Sequence, residues 1–113
     1  QDNVYPYINN SLGIISTSLW EDPGFVMIEA AACNAFIISS NCPSGPEEFI
    51  STSNGMLFKN NDLNDLQNKI LKYFELSNKE IYRMKVGAKK KSKQFTKFRH
   101  YQILSNFLCQ KTL

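Results

Sequence analysis

Apolar residues occur along this chain in two kinds of run, and the way these alternate is that of an α/β protein. Gly13-Ile14-Ile15-Ser16-Thr17 and Ala35-Phe36-Ile37-Ile38-Ser39 are short continuous stretches of apolar and small residues, the pattern of parallel strands covered on both faces. Between them, residues from about Gly24 to Cys33 are apolar almost all round, which predicts a largely buried helix. Strand, helix and strand in that order predict a right-handed βαβ unit. Tyr5 to Asn10 reads as a short helix ahead of it. After it come a loop from Cys42 to Pro46, a helical turn from Glu47 to Ile50, and a Ser53-Asn54-Gly55 turn into the short strand Met56-Leu57-Phe58. Asp62 is a good N-cap, and Leu63, Leu66, Ile70 and Phe74 recur at helical spacing to about Leu76. A second helix after Ser77-Asn78 carries Ile81, Met84 and Ala88 on one face. A last one from about Thr96 carries Tyr101, Leu104 and Leu108. Tyr5, Tyr7, Phe25 and Phe36 are expected in the core.

The turn that opens the first long helix, Glu21-Asp22-Pro23-Gly24-Phe25-Val26-Met27-Ile28-Glu29, is not what core packing requires. Asp22 is suited to cap the helix, Pro23 to occupy its first turn, and Gly24 to let another molecule approach the backbone. Free N–H groups at a helix start, with the helix dipole behind them, form an anion site. The turn stands at the carboxyl end of a strand, where open α/β sheets bind ligands. Glu29 lies on a helix with little polar face, and a buried carboxylate needs hydrogen-bond donors, which ribose hydroxyls would supply. Glu21, on the strand side, would face whatever lies beyond the phosphates.

Flanked by Ser18-Leu19-Trp20 and Ala30-Ala31-Ala32-Cys33-Asn34-Ala35, this stretch resembles the E-x7-E motif of retaining glycosyltransferases of the GT-B fold, family 4. The resemblance continues through Ile37-Ile38-Ser39-Ser40-Asn41-Cys42-Pro43-Ser44-Gly45-Pro46-Glu47-Glu48-Phe49-Ile50 and Asn54-Gly55-Met56-Leu57-Phe58, and covers most of residues 3 to 95. Asp22-Pro23 departs from the commoner Gly-Phe. Asn34 stands where glycine is usual, a mild change because Asn tolerates the left-handed conformation of a helix stop. The resemblance implies that Glu21 contacts the donor sugar near the reacting centre, as an orienting and electrostatic residue. It implies that Glu29 holds the nucleotide ribose and that the N–H groups of Gly24, Phe25 and Val26 hold the sugar and distal phosphate. It also implies a Rossmann-like parallel sheet domain with C-terminal helices, a nucleotide diphosphate sugar donor, a carbohydrate or lipid-linked acceptor in cell-surface polysaccharide assembly, and no cofactor or metal. The family's basic diphosphate clamp has no candidate upstream of Glu21. Residues 1–113 are therefore expected to be part of a C-terminal donor-binding domain, a fragment without turnover, with residues 79–113 as its basic helical tail.

Charge supports that division. Residues 1 to 78 carry three basic and nine acidic side chains, net −6, and residues 79 to 113 carry ten basic and one acidic, net +9. The Lys89-Lys90-Lys91-Ser92-Lys93 run reads as a solvated helix face. Its alternatives are docking on anionic lipid at the inner face of the membrane and, with Phe95, Phe98 and Tyr101 interleaved, nucleic-acid binding, which is not expected. His100 reads as a surface or packing residue, and Ser44-Gly45-Pro46 as a plain turn. Cys33, Cys42 and Cys109 lack metal-ligand spacing and are expected as buried or semi-buried free thiols of a cytoplasmic protein. No run of about 18 apolar residues predicts a membrane span. The competing functional reading is a nucleotide-sugar-binding module without catalysis.

Overall fold

The computed structural model describes residues 3–22 and 24–110, so the expectation for Pro23 lies outside the described residues. In chain order the elements are α1 (Tyr5–Asn9), β1 (Gly13–Ser16), α2 (Phe25–Ala32), β2 (Phe36–Ser40), α3 (Pro46–Phe49), β3 (Met56–Phe58), α4 (Leu63–Glu75), α5 (Asn78–Ser92), a 3₁₀ turn (Lys93–Phe95) and α6 (Lys97–Gln110). The strands form one parallel sheet in the order β1-β2-β3, with Ile14 beside Ile37, Ile15 beside Ile38 and Ile38 beside Met56. This is the α/β arrangement expected from the apolar runs and the Rossmann-like parallel sheet that the family resemblance implies.

Helices cover the sheet on both faces. On one, Met27, Ala30 and Ala31 of α2 pack with Ile37, Phe49, Ile50 and Ala88. On the other, Leu66, Ile70 and Tyr73 of α4 and Ile81 and Met84 of α5 pack on Phe36, Ile38, Met56 and Phe58. Helix α5 thus contributes to both layers, passing the amino end of β3 between them. Gly87 permits that passage, because a Cβ there would stand 2.9 Å from the Ser53 carbonyl oxygen.

The ends of the elements follow local chemistry. Asp62 caps α4 by accepting the Asp65 N–H at 3.0 Å, as expected. Asn34 stops α2 at φ 63°. There the Ala35 N–H reaches the Ala30 carbonyl at 2.9 Å and the Asn34 N–H reaches Ala31 at 3.0 Å, the paired bonds of a Schellman stop. Ser77 and Glu80 form a capping box at α5. The Ser77 hydroxyl, then the Ser77 N–H, hold the Glu80 carboxyl below its ordinary range. A lowered folded-state pKa means that this cap is present above the ordinary glutamate value and is lost as pH falls through the lowered one.

Buried Asn54 organises the turn before β3. Its Oδ1 accepts the Ser51 N–H at 2.6 Å, and its Nδ2 donates to the Phe49 carbonyl at 2.8 Å. Asn54→Ala should cost about 2 to 3 kcal/mol, since two backbone groups lose partners; chemical denaturation of the variant measures it.

Several expectations need correction. Strand β1 is not covered on both faces: it is an edge strand, and Ile15 is 50% exposed. Helix α2 is buried on one side only, with Phe25 and Val26 exposed at its start. Of the four aromatics expected in the core only Phe36 is buried, while Tyr5, Tyr7 and Phe25 are exposed. On α4 the packed stripe is Leu66, Ile70 and Tyr73, and Leu63 and Phe74 face outward. Cys33 is half-buried and Cys42 buried, as expected, but Cys109 is exposed. Within the basic helical segment, Ala88 of α5 belongs to the core. Lys91 also turns inward, donating to the Glu48 carbonyl and lying 5.9 Å from the centre of the Phe49 ring. No helix among the described residues is long and apolar enough to cross a membrane.

Candidate functional site

Parallel strands end on the same side, so β1, β2 and β3 deliver three loops to one edge of the sheet. Hydrogen bonds tie these loops together. The Glu21 N–H donates to the Pro43 carbonyl at 3.3 Å and the Asn41 N–H to Phe58 at 2.7 Å. The Ser40 hydroxyl donates to the Ser18 carbonyl, and the Asn60 side chain reaches the Leu19 carbonyl at 3.2 Å. The β1–α2 loop is therefore held from both neighbouring loops, an arrangement that fixes side chains without a large core beneath them.

Glu21 sits half-buried on this loop, and its Oε1 accepts the Ser18 hydroxyl at 2.6 Å. One carboxylate oxygen is thus anchored, and no hydrogen bond to the other is formed among the described residues. Gly24 adopts φ 33°, ψ 44°, the left-handed region, and is the N-cap of α2. A Cβ at Gly24 would stand 2.3 Å from the Met27 methyl carbon, the far end of a flexible side chain that can shift, so it is the left-handed conformation that calls for glycine there. The first bond of the helix runs from the Met27 N–H to the Gly24 carbonyl at 3.1 Å. Among the described residues, none accepts from the N–H groups of Phe25 and Val26, which leaves them as donors at the positive end of the helix dipole.

Asp22 does not cap α2. The helix starts at Phe25 with Gly24 before it and without a side-chain cap, so Asp22 stands two residues too early for its oxygen to reach the first turn. Glu29 is consequently closer to the turn than expected. It is four residues beyond Phe25, about 6 Å along the axis at 1.5 Å per residue. It is half-buried rather than buried, and its carboxylate has no hydrogen-bond or ion-pair partner among the described residues.

The structure thus brings Glu21, Gly24, Phe25 and Val26 to the carboxyl edge of the sheet, with Glu29 about one turn farther along α2. It also brings neighbours that were not expected. The 3₁₀ turn and α6 lie opposite the start of α2, and a groove of about 670 Å³ between them is bordered by Gly24, Phe25, Phe95, His100, Tyr101 and Leu104. The late helices therefore border the turn instead of standing clear of it. Ser44 and Gly45, at φ 63° and 125°, line a smaller recess of about 330 Å³ at the β2–α3 loop. Ser18 and Ser40 were missed as positioning residues. The Ser-x-x-Glu spacing of Ser18 and Glu21 was the available signal, whereas nothing local joins Ser40 to Ser18. Among the described residues, no three His, Cys, Asp or Glu side chains are grouped as metal ligands.

Comparison with known proteins agrees with this geometry. The sequence model of the family described as "Glycosyl transferases group 1" matches residues 1–93. The chain is 31% identical over 96 residues to a poly(ribitol-phosphate) alpha-N-acetylglucosaminyltransferase of Staphylococcus aureus (strain COL), a match covering 84% of this chain and 19% of that protein. In structure it is similar to a mutant of S. aureus TarM in complex with fondaparinux, alpha-GlcNAc-glycerol and UDP, with a TM-score of 0.76, 25% identity, and 92% of this chain and 21% of that one covered. It also resembles Anabaena Alr3699/HepE in complex with UDP, with a TM-score of 0.80 at 20% identity, over 92% of this chain and 29% of that one. The second likeness is one of fold. The chain spans about a fifth of the length of the curated relative it matches.

Proposed function

Because the chain belongs to the glycosyl transferases group 1 family and has a Rossmann-like sheet of the GT-B type, we propose that it is the donor-binding part of a retaining, family 4 glycosyltransferase. The reaction moves a sugar from a nucleotide diphosphate sugar to a carbohydrate or lipid-linked acceptor, in cell-surface polysaccharide assembly. The observation that carries the proposal is the β1–α2 turn. An anchored carboxylate at Glu21 and a left-handed Gly24 stand on either side of the loop that leads to open N–H groups at the start of α2. UDP, present in two of the similar structures, is the proposed leaving group.

The residues divide the work as follows. The N–H groups of Phe25 and Val26, with that of Gly24, stabilise the negative charge that grows on the diphosphate as the sugar departs. Glu21 orients the sugar and offsets the positive charge that develops on its ring. Glu29 accepts hydrogen bonds from the ribose. The reaction is proposed to need no resident metal or cofactor. Peripheral contact of a cytoplasmic enzyme with anionic lipid would rest on Lys89, Lys90 and Lys93, since Lys91 is engaged at Glu48.

The test is donor consumption. The 113-residue chain with a panel of nucleotide sugars and acceptors should give no turnover. The same region within a protein of the relatives' full length, assayed in chelator, should transfer. Transfer by the 113-residue chain would sink the fragment reading, and a longer protein that binds UDP yet never transfers would leave a binding module.

A further inference from the structure

At the amino end of β3, across the sheet from the Glu21 turn, α4, α5 and the loop before β3 enclose a groove of about 510 Å³. Its lining is unlike the rest of residues 1–78, where acidic side chains outnumber basic ones. Two of the three lysines in that span, Lys69 and Lys72, stand here one helical turn apart, and Arg83 of α5 joins them. The opposite wall is the hydroxyl loop Ser51-Thr52-Ser53.

The acidic groups nearby cancel part of this positive charge and leave Lys72 as the cation without a carboxylate beside it. Asp65 pairs with Lys69 at 3.6 Å. Glu80 also lines the groove; its carboxylate accepts the Ser77 N–H at 2.9 Å and the Ser77 hydroxyl at 2.6 Å, which turns it toward the cap, and it offsets part of the Arg83 charge. Among the described residues, no carboxylate forms an ion pair with Lys72 or Arg83. The hydroxyl wall is held in place by Asn54, which binds both the Ser51 N–H and the Phe49 carbonyl, and by the close approach of Gly87 to Ser53. Cations from two helices, a fixed rim of hydroxyl groups and an apolar floor that includes Met56 and Met84 are the parts of a phosphoryl site. The volume is within the range of ligand pockets.

We infer that this groove binds a phosphoryl group, with Arg83 and Lys72 as its cationic ligands and the Thr52 and Ser53 hydroxyls donating to the remaining oxygens, the Ser51 hydroxyl being held by Asn54. The ligand carries a phosphomonoester or belongs to a phosphodiester polymer. It occupies the amino edge of the sheet, so the inference does not rest on the donor-site reading.

The 113-residue chain, titrated at constant ionic strength with glycerol 3-phosphate and with a short poly(glycerol phosphate), should show saturable amide shifts at residues 51–53 and 83. Arg83→Gln and Lys72→Gln should each weaken binding by about tenfold, the range of a charge-assisted hydrogen bond. UDP affinity and the thermal midpoint should stay the same. Tighter binding of the polymer per phosphoryl group identifies the phosphodiester, and equal binding identifies the monoester. Absence of saturable binding of both probes, unchanged affinity in both variants, or shifts confined to residues 24–26 would overturn the site.

Discussion

Glu21→Ala, made in a protein that carries the complete catalytic machinery, should lower kcat by about 100-fold, close to 2.7 kcal/mol of transition-state stabilisation, with UDP affinity within about twofold of the wild type. The asymmetry follows from position. Glu21 stands on the strand side of the turn with Oε1 held by Ser18 at 2.6 Å, while the N–H groups proposed to face the nucleotide belong to the helix that follows. Removing the carboxylate therefore takes away the proposed contact to the reacting sugar and leaves the proposed phosphate donors in place. Ser18→Ala is the graded control, because it frees the carboxylate without deleting it, and its loss of kcat should be smaller. A Glu21 variant that loses donor affinity and keeps kcat would make Glu21 a binding residue only.

Glu29→Ala should have the opposite signature, weakening UDP binding by about 1.5 to 3 kcal/mol, or roughly 10- to 150-fold, with the smaller effect on kcat. Glu29 is half-buried about one turn into α2 and has no protein partner among the described residues, so hydroxyl donors from a ribose are the contacts it would gain. Titration calorimetry of wild type and variant with UDP and with uracil separates the ribose from the base. Equal UDP affinity in both proteins would reject the ribose assignment.

Most of the scaffold was readable because it rests on local rules. The continuous apolar runs at residues 13–17 and 35–39 became β1 and β2 within a residue. Asp62 capped α4, and Asn34 took the left-handed stop usually given to glycine. The candidate site was legible through its motif, but its local geometry was not. Asp22 reads as an N-cap, yet the left-handed Gly24 takes that position and starts the helix at Phe25.

Exposure was the least legible property, for a physical reason. Helical spacing marks Phe74 and Leu63 as apolar, but which apolar residues become buried depends on what the fold brings over them, and α4 turns Leu66, Ile70 and Tyr73 to the sheet instead. The same limit hid the groove between α2 and α6 and the cationic groove of Lys69, Lys72 and Arg83. Each is built from segments that are distant in sequence and meet only through the sheet topology.

The most direct measurement is a backbone amide titration of the 113-residue chain with UDP. The account predicts saturable shifts centred on Gly24, Phe25 and Val26, extending to Glu29, and abolished at Gly24 to Val26 by Gly24→Val, which the left-handed backbone disfavours. Shifts centred elsewhere, with residues 24–29 silent at saturation, would contradict the assignment of this turn as the nucleotide-sugar site.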